Sequence, residues 1–275
     1  MDTKGYDVLV YVIDNGSTDG SEEFIRKTFR WVKFIRSDRN LGFSGGNNIG
    51  IRQALGDGVD FIWLLNNDTR VDRYALSFLS VFSSDSVGAA GSKIYFEAGR
   101  EYHRERYKES ERGKVLWYAG GLIDWDNVIA SHRGVDEVEK DQYDRIEETQ
   151  FITGCSFVFR AEITTRVGLL NEAYYLYLED VDYSVRIQKA GYRTMYVPAS
   201  IVWHKNAGST GKPGSLLHQY YQTRNRIIFG LRYASFRTKL ALLREAGTTL
   251  IRGPEIRKRA VIDALTLRWG KQYEN

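Results

Sequence analysis

The chain has 275 residues, with 39 Lys or Arg against 35 Asp or Glu, a net charge of +4, 43% hydrophobic content and 3 prolines. At about 150 residues per domain this length spans one to two domains, and the apolar share supports a packed core rather than a disordered chain. The one cysteine, Cys155, excludes a disulfide framework within the chain, and no apolar run approaches the ~18 residues that cross a bilayer. Val8 to Ile13 is continuously apolar, the pattern of a strand covered on both faces. Asp19 with Glu22 marks a helix start, and Phe24, Ile25 and Phe29 supply its apolar stripe. Val32 to Ile35 reads as a second strand, followed by a glycine-rich turn and a short helix expected to start near Gly46. Phe61 to Leu65 is a third buried strand, Asp72 caps a helix with Leu76, Leu79 and Phe82 inward, and Val87 to Tyr95 is another strand. This alternation predicts an α/β fold, a largely parallel sheet with helices on both faces.

Glu97 to Lys114 is rich in charge and poor in apolar residues, so a solvated excursion is expected there. Folded texture resumes from Trp117: Phe151 to Phe159 alternates like a strand, Ala161 to Val167 reads as a helix, and Glu179 to Ala190 is a helix stopped by Gly191. Beyond Tyr220 the pattern is helical and basic, with 12 Lys/Arg against 4 Asp/Glu from Arg224 onward, a local +8. The chain is accordingly divided into a catalytic unit, 1–223, and a basic helical extension, 224–275. That extension is either the solvated face of ordinary helices or a surface for an anionic partner. Its apolar positions Ile227, Ile228, Leu231, Leu240, Leu242, Leu243 and Leu250 have spacings that allow amphipathic helices, and hence peripheral contact with an anionic membrane. Nucleic acid is not expected as a partner, and Met1 runs into Asp-Thr-Lys-Gly rather than a signal peptide, which predicts a cytoplasmic location.

In open parallel sheets ligands bind beyond the carboxyl ends of the strands. Three such ends carry Asp14-Asn15-Gly16-Ser17-Thr18-Asp19, Asn40-Leu41-Gly42-Phe43-Ser44-Gly45-Gly46-Asn47, and Asn66-Asn67-Asp68. Turn chemistry alone uses these residue types, but three polar loops at one edge point to a ligand. Asp14 can accept the imino N–H of uracil or thymine, or a ribose hydroxyl. The Gly42 to Gly46 turn offers backbone N–H groups to an anion. Asp68 is a hard oxygen ligand suited to Mg²⁺ or Mn²⁺ carrying phosphate oxygens, and it can equally cap the next turn. In Glu179-Asp180-Val181-Asp182 the acids suit a helix N-terminus, and one that reaches a cleft could act as general base. His204 is either packed or a ligand, and Arg224 with Asn225 either contacts a diphosphate or lies on a basic helix surface.

These segments, with Thr153-Gly154-Cys155, Gly168-Leu169-Leu170-Asn171-Glu172, Tyr177 to Asp182, Trp203-His204 and Tyr220 to Asn225, keep order and spacing over most of the chain. In them the sequence resembles family 2 glycosyltransferases, and within that family the rhamnosyltransferase-like set. The resemblance implies a GT-A fold and inverting transfer from a nucleotide-diphosphate sugar, such as dTDP-rhamnose or a UDP-sugar, to a glycan or lipid-linked acceptor. It implies that Asp14, Asn15, Gly16, Ser17, Asn40, Gly42, Gly46, Asn47, Asn66, Asn67 and Arg224 line the nucleotide. Asp68 and His204 would hold a divalent metal (Mg²⁺ or Mn²⁺), and Asp180 would be the catalytic base beside Glu179. Asn66 replaces the first acid of the family's metal motif, and Asn171 stands where relatives carry Asp. The resemblance also implies that a first apolar strand, central in the sheet, is missing ahead of Val8, so that either the start is internal to a longer protein or the chain is an inactive homologue that binds nucleotide or acts as a scaffold. A sugar-nucleotide nucleotidyltransferase would carry a glycine-rich loop with Arg and Lys after its first strand, and Asp14 to Asp19 does not.

Overall fold

The computed structural model describes residues 1–205 and 214–273. Its first unit is a parallel pair, β1 (Tyr11–Asp14) and β2 (Lys33–Arg36), joined through α1 (Ser21–Thr28). α2 (Gly42–Gly56) leads into β3 (Phe61–Leu65) and β4 (Thr69–Val71), and a 3-10 segment over Ala75–Ser83 precedes β5 (Val87–Phe96). An excursion carries β6 (Leu116–Tyr118), β7 (Gly121–Asp124), β8 (Ile129–His132) and β9 (Glu147–Glu148) before β10 (Ser156–Arg160) re-enters the sheet. α3 (Thr164–Val167), α4 (Glu179–Lys189) and β11 (Arg193–His204) follow, and the chain closes with α5 (Leu216–Tyr233), α6 (Phe236–Arg252) and α7 (Glu255–Leu265).

The main sheet has the order β3-β10-β5-β11-β4. β5 and β11 are parallel, while β10 runs antiparallel to both β3 and β5, so β3, β5 and β11 all point the same way. Every residue of β5 is buried, as a central strand requires. One face packs on α4 and α5 through Val181, Val185 and Phe229, and the other on the 3-10 segment through Phe78 and Phe82. Between β1 and β3 the ladder is interrupted: among the described residues neither strand has a partner on the edge facing away from its own neighbour. α2 packs across both, with Gly50 against Ile13 of β1 and Ile51 and Ala54 in one cluster with Ile62 and Leu64 of β3.

Several local expectations change. α2 begins at Gly42 rather than near Gly46, because its first amides already have acceptors: Asn40 Oδ1 for Gly42 (2.9 Å) and the Tyr175 carbonyl for Phe43 (2.8 Å). The Gly42 to Gly46 segment is therefore a buried first helical turn, not an open loop. The segment after Asp72 winds as a 3-10 helix, and β10 starts only at Ser156. The stripe on α1 is not covered, since Phe24 and Phe29 stay exposed beside a two-stranded sheet too narrow to bury them. The Glu97 to Lys114 excursion is tied down at two points, Gly113 N donating to buried Glu101 (2.9 Å) and Tyr107 Oη to the Asp136 carbonyl (2.8 Å). The boundary placed after residue 223 runs through the middle of α5 and does not separate two units.

Candidate active site

The loop after β3 is held by neighbours on both sides. Asn66 N donates to the Cys155 carbonyl (3.1 Å), and Thr69 Oγ1 closes the turn onto the Asn66 carbonyl (2.6 Å). β4 then pairs antiparallel with the end of β11, Thr69 opposite His204. This ladder sets Asp68 beside His204, with Oδ1 3.1 Å from Nε2 and Lys205 N donating to the Asp68 carbonyl (2.8 Å). His204 is buried against the Trp117 ring at 4.6 Å, and its Nδ1 has no hydrogen-bond partner. A carboxylate oxygen and an imidazole nitrogen facing each other this closely can share a divalent cation, an oxygen–nitrogen pair compatible with Mn²⁺ or Mg²⁺. The residues present fit such an ion. The acidic group Glu139, Asp141 and Asp144 is a different matter, because Lys93 donates to Glu139 (2.8 Å) and to Asp144.

The approach to α4 is strained. Tyr175, Tyr177 and Leu178 adopt left-handed backbone with φ of 63°, 69° and 69°, which bulky side chains rarely do. α5 holds this segment: Asn225 Nδ2 donates to the carbonyls of Tyr174 (3.0 Å), Leu176 (2.7 Å) and Tyr177 (2.8 Å). Arg224 donates to Ala173 (2.9 Å), Tyr174 (2.8 Å) and Gly270 (2.6 Å) carbonyls, stacked on Tyr221, and is 0% exposed. The expectation that Arg224 contacts a diphosphate is therefore corrected: its guanidinium is used up inside the protein, as a brace for the entry to α4. The Tyr-Tyr…Arg-Asn pattern was visible in the sequence, but the left-handed segment it supports was not.

At the head of α4, Asp180 accepts from Gly154 N (2.8 Å) and Val181 N (2.8 Å) and stays partly exposed. Burial pushes its carboxyl above the ordinary range, against the pull of these backbone bonds. Glu179 is buried with Oε2 unpartnered, and burial together with the Asp180 charge raises it well above the ordinary range. Asp182 is buried and accepts from Tyr233 (2.7 Å), Tyr174 (3.2 Å) and Arg186 (2.7 Å), which makes it a structural anchor. Cys155 is buried within the turn whose Gly154 N–H binds Asp180, and its carbonyl accepts from Asn66 N. Its thiol is raised by burial and then by the charges of Asp68 and Asp180.

The first two loops lean on each other. Asn15 Nδ2 donates to the Gly42 carbonyl (2.9 Å) and to Asn40 Oδ1 (3.2 Å), while its Oδ1 accepts from Leu41 N (2.9 Å). Gly16 has φ +80°, and a Cβ there would lie 2.8 Å from the Arg39 backbone; one on Gly46 would lie 2.9 Å from Asn15 Nδ2. Asp14 accepts from Ser17 N (2.8 Å) and Arg36 Nη1 (2.6 Å). Burial raises its pKa, but these bonds and the Arg36 charge outweigh that and hold the carboxyl below the ordinary range. Arg36 had no signal in the sequence. Asn47 Nδ2 donates to the Phe43 carbonyl (2.9 Å), and Asn67 is exposed. Phe43 joins this group to the second, donating its N–H to Tyr175 while its ring abuts Gly154 beside Asp180. Asn48, also missed, latches α2 to Leu170 and Glu172, and Asn171 accepts from Ala173 N (3.1 Å) in the turn that follows.

The family model for glycosyl transferase family 2 matches residues 2–168. The chain is similar to the N-acetylglucosaminyl-diphospho-decaprenol L-rhamnosyltransferase of Mycobacterium tuberculosis, 28% identical over 232 residues that cover 78% of this chain and 73% of the relative. Among solved structures it resembles GalNAc-T7 with UDP, GalNAc and Mn²⁺ (TM-score 0.62, 15% identity, 96% of this chain covered). It also resembles the mannosyltransferase of Pyrobaculum calidifontis in complex with GDP-Man and Mn²⁺ (TM-score 0.51, 15% identity, 94% covered). The chain spans about half (48%) of the first of these structures and 65% of the second. Both likenesses are of fold, and the architecture is GT-A. With the family model covering more than half of its length, this chain belongs to glycosyl transferase family 2.

Proposed function

We propose that the chain transfers a sugar from a nucleotide-diphosphate sugar, of dTDP-rhamnose or UDP-sugar type, to a hydroxyl of a glycan or lipid-linked acceptor, inverting the anomeric carbon. The observation that carries this reading is that the Gly154-Cys155 backbone joins the two acidic groups: Gly154 N donates to Asp180 (2.8 Å), and the Cys155 carbonyl accepts from Asn66 N (3.1 Å), at the head of the loop that sets Asp68 against His204. The name of the mycobacterial relative supports a rhamnosyl donor and a lipid-linked acceptor. Asp180 takes the proton of the acceptor hydroxyl, whose oxygen bonds to the anomeric carbon as the bond from that carbon to the diphosphate breaks. Glu179, favoured in its protonated form, leaves Asp180 as the base. Asp68 and His204 would hold a divalent ion, which when bound neutralises charge on the departing diphosphate. The loops of Asp14 to Ser17, Asn40 to Asn47 and Asn66-Asn67 form the wall for the nucleotide, Asn15 and Asn40 shaping it through their mutual bonds. A cytoplasmic location and peripheral membrane contact belong to the same reading, and no helix among the described residues is long and apolar enough to cross a membrane.

The interrupted ladder between β1 and β3, beside the Asp14 loop, favours a second reading: a homologue that binds nucleotide or acts as a scaffold without transfer. Incubation with dTDP-rhamnose or UDP-sugars, Mn²⁺ and a polyprenyl-diphosphate glycan, followed by mass spectrometry of the acceptor, separates the two. Acceptor mass gain that Asp180→Asn abolishes is the expected result. Tight Mn²⁺-dependent nucleotide binding with no product from any donor would leave the second reading standing.

A further inference from the structure

α6 carries two apolar rows, and only one has a partner. Thr238, Leu242 and Ala246 are buried, with Leu242 against Gly230 of α5 and near Val128. Phe236, Leu240, Leu243, Leu250 and Ile251 form a second row at helical spacing on the solvent side, where Phe236 is 77%, Leu240 53% and Ile251 78% exposed. Gly247 falls within this row, with nothing within 4 Å of its would-be Cβ. Arg237, Lys239 and Arg244 flank the row, and among the described residues neither they nor Arg252 at the helix end makes an ion pair. The single acid of the helix, Glu245, is turned to α5 and paired with Arg226 (2.7 Å). At 17 residues the helix offers this face over about 25 Å.

We infer that the outer face of α6 lies on an anionic lipid bilayer, its apolar row sunk among the acyl chains and its cations at the headgroups. An exposed helical row of Phe, Leu and Ile bordered by Lys and Arg is the arrangement that binds in a membrane interface without spanning it. Charge selects this occupant over a second copy of the chain. Two α6 faces packed together would bring both sets of unpaired cations into one interface, whereas anionic headgroups neutralise them. The two rows also separate functions that the sequence pattern mixes, since Leu242 belongs to the fold and Leu240 and Leu243 do not. The inference extends the reading of a lipid-linked acceptor, and vesicles that contain no acceptor test it apart from sugar transfer.

The test is co-sedimentation of the full chain with vesicles of phosphatidylcholine alone or with about 30 mol % phosphatidylglycerol. Binding is expected only with the anionic vesicles and should weaken at least about tenfold between about 0.05 and about 0.5 M NaCl. Leu240→Ser with Leu243→Ser and Ile251→Ser should lower binding by about tenfold or more, with the melting temperature kept because all three side chains are exposed. Arg237→Gln with Arg244→Gln should reduce the salt dependence. Equal recovery in the supernatant with both vesicle types at low salt overturns the inference. So does a concentration-dependent dimer, seen by light scattering, that the triple Ser variant abolishes, since the row would then be an interface between copies.

Discussion

Asp180 and Asp14 are two carboxyls driven in opposite directions by their surroundings. Asp180 has its pKa raised by burial, so it is protonated further up the pH scale and cannot act as a base there. The turnover of the proposed transfer is therefore expected to fall as pH drops through a value above the ordinary Asp pKa of about 3.9, read from the acid limb of a kcat profile. Asp180→Asn keeps the size and, through its single carbonyl oxygen, one of the two backbone hydrogen bonds, but accepts no proton. Turnover should fall by ~10² or more while Mn²⁺-dependent nucleotide affinity, measured by calorimetry, stays within a few-fold. If Glu179→Gln were inactive and Asp180→Asn active instead, the two acids exchange roles. Asp14, held low by Ser17 and Arg36, contributes stability that is complete above its unfolded pKa and lost as pH falls through its folded value. Asp14→Asn should accordingly flatten the acid arm of a stability-versus-pH curve. At the other side of the site, Asp68→Ala should remove Mn²⁺-dependent nucleotide binding and turnover together, and undiminished binding would remove Asp68 from the metal's ligands.

At the scale of elements, α4 is placed by α5 rather than by its own sequence. Left-handed Tyr175, Tyr177 and Leu178 are costly conformations that persist because Asn225 ties three carbonyls of that segment to the helix behind it. Asn225→Ala removes this shared donor from the three carbonyls, of which that of Tyr174 keeps Arg224, at a cost of about 1–3 kcal/mol. The variant should melt earlier, and kcat should fall more than donor KM because Asp180 moves while the nucleotide wall does not. An unchanged kcat at unchanged fold would reduce Asn225 to a stability residue. The β1–β2 pair makes the opposite contrast. With one ladder and half-buried strands, its amides should exchange with solvent well before those of β5, which is buried along its whole length.

Over the whole molecule, the basic C-terminal helices are part of the catalytic body. Arg224 binds Gly270 as well as Ala173, Tyr220 donates to Asp263 of α7 (2.6 Å), and Tyr221 Oη donates to the Tyr273 carbonyl (3.1 Å). A chain ending at Thr223 would cut α5 in half, remove Asn225 and uncover Tyr220 and Tyr221. It should fail to give a cooperative thermal transition by circular dichroism, whereas two independent units would leave residues 1–223 melting as before. The basic segment thus consists largely of helices whose inner faces complete the fold.

The strand runs Phe61 to Leu65 and Val87 to Tyr95, the helix over Glu179 to Ala190 and the polar loops at the strand ends are legible in the sequence, because each is a local matter of period, capping and turn chemistry. Asp68 and His204 are individually recognisable as ligand types, but they lie 136 residues apart in sequence, and only the β4–β11 ladder brings them to 3.1 Å. The role of Arg224 was not legible, since a basic residue on a helix looks the same whether it faces a diphosphate or four backbone and side-chain acceptors inside the protein. Nor does spacing tell which of two apolar rows on α6 is covered. Burial is decided by what packs opposite, and that is a property of the assembled chain: local pattern determined the elements and the chemistry available to them, and tertiary contact determined which groups meet.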